Sequence, residues 1–173
     1  MKLFKKKPSI RQEIKRRARK TLNCNFEKEK CNYVADTSAI INKFIPKLIS
    51  KGLRGKIIIP NAVMAELENL ANKGREEGFT GLEEVAKFHK IKHNFPITIF
   101  FEGLRPNEMQ IRFAKSGEID SIIREIARKN NAILITADLV QAKTSQAYGL
   151  KVLFLRTKIE KKKKRFFSFF QKR

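Results

Sequence analysis

The sequence has no tryptophan, two cysteines (Cys24 and Cys31) and two histidines (His89 and His93) in 173 residues. So few thiols and imidazoles argue against a disulfide framework and against a four-ligand zinc site, so both cysteines are expected to be free thiols. His89 and His93 stand four apart on an expected helix, but no H-E-x-x-H pattern surrounds them, and they read as exposed helix residues. Long apolar runs are missing too. No stretch reaches the roughly 18 consecutive apolar residues of a membrane span, and no N-terminal segment has a signal-peptide apolar run, so a cytoplasmic protein is expected. The G-x-x-x-x-G-K-[ST] motif is absent, which removes P-loop nucleotide chemistry. Acids are scarce, 17 against 39 Lys and Arg, and the formal net charge is +22. Such an imbalance favours a polyanionic partner, either nucleic acid or an anionic membrane surface.

The positive charge gathers at the ends. Residues 1–30 hold 12 Lys/Arg against 3 acids, and residues 156–173 hold 9 against 1. This divides the chain into a basic N-terminal extension (1–30), a core domain (31–156) and a basic, Phe-containing C-terminal tail (157–173). In the extension, residues 9–20 could form a basic helix, with only Ile10, Ile14 and Ala18 as an apolar stripe. The tail runs from Lys161–Arg165 into Phe166, Phe167, Phe169 and Phe170, a composition that builds no core by itself. Cations beside aromatics suit base stacking with phosphate contact, and they also suit a membrane interface. RNA is the favoured reading, with Lys5, Lys6, Lys7, Arg16, Arg17, Lys161, Lys162, Lys163, Lys164 and Arg165 as candidate nucleic-acid contacts.

Between the ends, five short apolar runs alternate with amphipathic segments: 32–36, 56–60, 97–101, 132–136 and 151–155. Runs of this length, rich in β-branched and aromatic residues, are what strands buried on both faces look like. The clearest helix is 116–130, where Ile119, Ile122, Ile123, Ile126 and Ala127 fall on one face, and 61–73 repeats the pattern with Val63, Leu67, Leu70 and Ala71. The glycine-rich link 74–81 predicts a turn leading into a helix over 82–93. Strands alternating with helices predict an α/β fold, a three-layer α/β/α sandwich around a mostly parallel five-stranded sheet.

Ligands of such sheets bind beyond the carboxyl ends of the strands. Asp36 ends the first strand in VADTS, and Asp138 follows the fourth in LITAD. Glu66 sits in the second turn of the helix after the second strand, and Asp120 near the start of the 116–130 helix. Two like charges about 4 Å apart repel by roughly 4 kcal/mol at an effective dielectric of 20. Hard divalent cations offset such repulsion, and they can activate water and stabilise displacement at phosphorus. Each acid also has an ordinary explanation. Asp36 and Asp138 could be helix N-caps, and Glu66 and Asp120 could be solvated helix residues. Thr37, Ser38 and Thr136 are hydroxyls able to bond a carboxylate, water or phosphate, or simply to cap a helix. Glu118 is a plausible fifth acid whose place in a first helical turn also suits the helix dipole.

The order VADTSAII, IIIPNAVMAELENLANKGREEGF, SGEIDSIIREIA, LITADLVQAKTSQAYGLKV resembles a PIN domain over residues 32–155. Within that family it is most similar to the N-terminal PIN domain of archaeal PIN–KH ATPases, here without the ATPase motif. The resemblance implies a metal-dependent endoribonuclease using Mg²⁺ or Mn²⁺ held by Asp36, Glu66, Asp120 and Asp138, with Ser38 and Thr136 beside them. It further implies RNA as partner, a homodimer or higher oligomer and, more distantly, a VapC-type toxin held by an antitoxin. A noncatalytic PIN-shaped nucleic-acid-binding or assembly module is the alternative.

Overall fold

The computed structural model describes residues 31–91, 93–113 and 117–156. The two basic ends, with their candidate contacts and the 9–20 helix, lie outside the described residues. Five strands form one sheet: β1 (Cys31–Ala35), β2 (Gly55–Pro60), β3 (Ile97–Glu102), β4 (Ile133–Thr136) and β5 (Val152–Phe154). Their spatial order is β3-β2-β1-β4-β5, and every pair is parallel. The helices are α1 (Thr37–Ile41), α2 (Phe44–Ser50), α3 (Asn61–Asn72), α4 (Glu76–Ile91), α5 (Glu108–Phe113), α6 (Glu118–Lys129) and α7 (Leu139–Ala147).

Parallel strands need crossovers, and right-handed ones send the β1–β2 and β2–β3 connections over one face and those into β4 and β5 over the other. Tyr33, Val34, Ile57, Ile58, Ile59, Leu134 and Ile135 are accordingly fully buried. The three-layer α/β/α architecture expected from the alternation of elements is the one observed. No described helix is long and apolar enough to cross a membrane.

Two expectations are corrected. The segment 74–81 is not a turn: only Lys73–Arg75 link the helices, and α4 already begins at Glu76. Gly78 and Gly81 lie inside α4 because α3 passes so close. A Cβ on Gly78 would stand 2.2 Å from the Ala71 amide nitrogen, and one on Gly81 2.3 Å from a methyl of Leu67. The helix also ends at Ile91, so His93 lies beyond it, while His89 stacks at 5.9 Å on Phe101 of β3. Cys31 is a free thiol in β1.

Candidate metal centre

The strand order turns back at β1, whose neighbours are β2 on one side and β4 on the other, and the crevice beyond β1 and β4 is where such sheets hold ligands. Asp36 and Asp138 flank that crevice. The register pairs Ala35 with Ile135, which brings Asp36 beside Thr136. The Asp36 amide donates to Ile135 O at 3.0 Å, and the Thr136 hydroxyl donates to Asp36 Oδ2 at 2.7 Å.

Asp36 is 4% exposed and stands at the N-cap of α1, but its carboxylate makes no capping bond. The carboxylate instead takes Ser38 Oγ, which donates to Oδ2 at 2.5 Å, together with Thr136. Ser38 Oγ accepts from the Ala137 amide at 2.8 Å, and Thr136 Oγ1 from the Asp138 amide at 2.9 Å. Each hydroxyl therefore spends its one proton on Asp36. The fully buried Gln141 must then turn its amide nitrogen towards them, where it donates to Asp36 Oδ2 at 2.8 Å and to Oδ1 at 3.1 Å. Oδ2 is saturated by three donors, while Oδ1 retains acceptor capacity.

Glu66, on α3, is held by Thr37, whose Oγ1 donates to Oε2 at 2.6 Å. The DTS triplet after β1 thus supplies one acid and the hydroxyls that orient two. Asp120 sits half-buried in the first turn of α6. Asp138 does cap α7: its Oδ1 accepts from the Val140 and Gln141 amides at 2.6 and 3.1 Å, leaving Oδ2 outside both bonds. Capping and a second role are therefore compatible.

The charges of these acids act on one another. Burial, against the hydrogen bonds from Ser38 and Thr136 and helped by the charges of Asp120 and Glu66, pushes the Asp36 carboxyl up to about 6. Burial and the charge of Asp120 raise Glu66, although the Thr37 bond opposes them. Asp120 is raised by burial and by Asp138, with Arg124 working the other way. The four acids thus share one electrostatic neighbourhood, yet no three His, Cys, Asp or Glu side chains among the described residues converge on one point as a ready cation cage. Glu118 is exposed and is not among the charges that shift the other acids; it lines a separate cleft of about 290 Å³ with Leu104, Arg105 and Gln110.

The candidate donors are all oxygen: four carboxylates with three hydroxyls behind them. That chemistry fits Mg²⁺ or Mn²⁺, and Mg²⁺ commonly binds through one or two carboxylates and keeps several waters, which asks for no closed cage. Gln141 is the site residue the sequence reading missed. Its signal was a polar side chain three residues after Asp138, in the first turn of α7 and facing inward.

Residues 33–147 match the family model of the PIN domain, whose members are generally metal-dependent nucleases that use Mg²⁺ or Mn²⁺. Over 122 residues the chain is 42% identical to an uncharacterized KH and PIN-domain containing protein of Methanocaldococcus jannaschii, covering 69% of this chain and 19% of that protein. An uncharacterized PIN and TRAM-domain containing protein of Synechocystis is 26% identical over 125 residues, covering 69% and 32%. The chain therefore spans about a fifth and a third of the length of these curated relatives. Among solved structures, a domain of a functionally unknown protein from Methanocaldococcus jannaschii matches with a TM-score of 0.70 at 40% identity, covering 73% of this chain and 92% of that domain. With all four acids inside the matched segment and a relative at 42% identity, the chain belongs to the PIN domain family.

Proposed function

We propose that the chain is a metal-dependent endoribonuclease that hydrolyses RNA phosphodiester bonds at the crevice beyond β1 and β4. The observation that carries this reading is Asp36: a buried carboxylate at the turning point of the sheet, saturated on one oxygen, with acceptor capacity left on the other, and acted on by the charges of Glu66 and Asp120, the latter in turn by Asp138. A bound Mg²⁺ or Mn²⁺ supplies Lewis-acid activation of the attacking water and neutralises charge on the phosphoryl oxygens. The chain's own residues do the rest. The four acids would hold the ion, and Ser38, Thr136 and Gln141 fix the Asp36 carboxylate so that the remaining acceptor capacity of Oδ1 stays turned to it. Thr37 fixes Glu66 in the same manner. RNA as substrate is supported by the net charge of +22 and by the KH domain in the 42% identical relative, since KH modules clamp nucleotides of single strands.

The test is cleavage of labelled single-stranded and structured RNAs with Mg²⁺ or Mn²⁺, comparing wild type with Asp36→Asn and Asp120→Asn. Metal-dependent cuts are expected with wild type, with a loss of at least a hundredfold in each variant and none with EDTA. The absence of a three-acid convergence among the described residues favours a second reading, a noncatalytic PIN-shaped nucleic-acid-binding module. Identical traces from wild type and both variants would establish that one instead.

A further inference from the structure

Between α6 and the residues joining α7 to β5 lies a cleft of about 340 Å³, lined by Ser121, Arg124, Glu125, Arg128, Tyr148 and Leu150. It shares no residue with the carboxylate cluster, yet it begins beside it. Ser121 follows Asp120 directly. Arg124 and Arg128 repeat the position of Asp120 at i+4 and i+8, one and two helical turns of about 5.4 Å further along α6. An acid followed by two guanidinium groups along one face is the charge order that suits a polyanion crossing the site: one phosphate at the cation, the next over the arginines.

Leu150 packs against the core, but the packing of the domain does not account for Tyr148 and the two arginines. Tyr148 is 72% exposed at the end of α7, so its ring contributes little to the core, and the Arg124 guanidinium lies 5.6 Å over that ring. Arg128 has Glu125 as its ion-pair partner at 3.9 Å, with both side chains about three-quarters exposed. Such a surface pair stabilises little and is readily exchanged for a phosphate. An exposed aromatic face with a guanidinium on it, a second arginine a turn away and a cleft of this volume are the parts of a stacking platform for a nucleotide. Glu125 on the same rim opposes anions and leaves the lining a net charge of only one, so stacking on Tyr148 must carry part of the affinity.

We propose that this cleft is a subsite for a nucleotide flanking the scissile bond of single-stranded RNA, with Tyr148 stacking its base and Arg124 and Arg128 holding the adjoining phosphates. The proposal rests on the ribonuclease reading and narrows it to substrates with unpaired bases beside the cut, because a base already stacked within a duplex offers no free face to Tyr148.

The composition of the chain provides the measurement. It has no tryptophan and two tyrosines, and Tyr33 is fully buried, so Tyr148 is the tyrosine whose emission an RNA base can quench by contact. The full chain is titrated with a short labelled oligoadenylate in EDTA, so that nothing is cut, while tyrosine emission and the anisotropy of the label are followed together. Quenching is expected to saturate along with binding. Tyr148→Ala should weaken binding about tenfold, and Tyr148→Phe should keep the affinity but lose the quenching. Arg124→Ala and Arg128→Ala should each make the dependence of log K on log salt shallower by about 0.7. A duplex of equal length should bind without quenching. Binding with unchanged emission, wild-type affinity in Tyr148→Ala, or no binding at all would overturn the subsite. Cleavage with Mg²⁺, scored separately, keeps the two readings apart: quenching without cutting sinks the nuclease reading, and cutting without quenching sinks the subsite alone.

Discussion

At the scale of single residues, Asp36 gives the sharpest prediction, because it is buried without a cationic partner among the described residues. Its carboxyl rises from an ordinary 3.8 to about 6, so between those values the folded metal-free protein binds more protons than the unfolded chain. Stability then falls as pH rises through that window and stays lower above it. The penalty is on the order of 2 to 3 kcal/mol, at about 1.4 kcal/mol for each pH unit. Asp36→Asn removes the charge and keeps a carbonyl for Ser38 and Thr136 to donate to. In EDTA the variant should therefore melt several degrees above wild type at pH 7.5, and the gap should close near pH 4. Adding Mg²⁺ should raise the melting point of wild type and leave the variant where it was. Parallel melting curves across that pH range would show that Asp36 is ionised without strain. The positions of the four acids along their elements were legible in the sequence, because strand ends and the first two helical turns can be counted along the chain. The division of labour between the two aspartates was not. Both stand at helix N-caps, and only the structure shows Asp138 bonding the amides of α7 while Asp36 turns to Ser38, Thr136 and Gln141.

At the scale of elements, the five strands, α3 and α6 were legible because each carries its periodicity over enough residues, and the strand limits agree to within two residues. Helices α1, α2 and α5 have only five to seven residues, too few for a 3.6-residue period to stand out. The start of α4 was missed for another reason: glycine was read as a breaker, whereas Gly78 and Gly81 lie where α4 meets the backbone and Leu67 of α3. Local propensity carries no trace of a neighbour that close. Gly78→Ala should therefore destabilise the fold although alanine is the better helix former. The cost should be roughly 1 to 3 kcal/mol from overpacking, read as a shift of the urea midpoint. Gly81→Ala should cost less, since it presses on a side chain rather than on backbone. Because Glu66 precedes Leu67 on α3, the Gly78 variant should also weaken the protection that Mg²⁺ gives against unfolding. A stabilised Gly78→Ala would mean that α3 and α4 are not packed this closely in solution.

At the scale of the whole molecule, the charge and the site divide the work of handling a polyanion. Four acids at the centre oppose a phosphate locally without a cation, and the excess of Lys and Arg over the remaining sequence outweighs them and attracts RNA from a distance. Most of that excess lies in residues 1–30 and 156–173, outside the family match at 33–147, so affinity and chemistry should be separable. A chain ending at Arg156 lacks eight Lys/Arg and four Phe but keeps all four acids, Gln141 and Tyr148. Its Mg²⁺-dependent cleavage at saturating RNA should match that of the full chain. Its affinity should fall, and the slope of log K against log salt should flatten by about 0.7 for every phosphate contact the tail had made. The same pair of proteins should be mixed with vesicles rich in anionic lipid and pelleted, since the Lys161–Phe170 segment has the composition of an interfacial anchor as well. If the tail serves RNA, truncation changes the salt slope, and competing RNA strips the full chain from the vesicles. If the slope is unchanged while pelleting depends on the tail, the C-terminal charge is an address to a membrane surface, and the approach of RNA must depend on the core and the N-terminal residues.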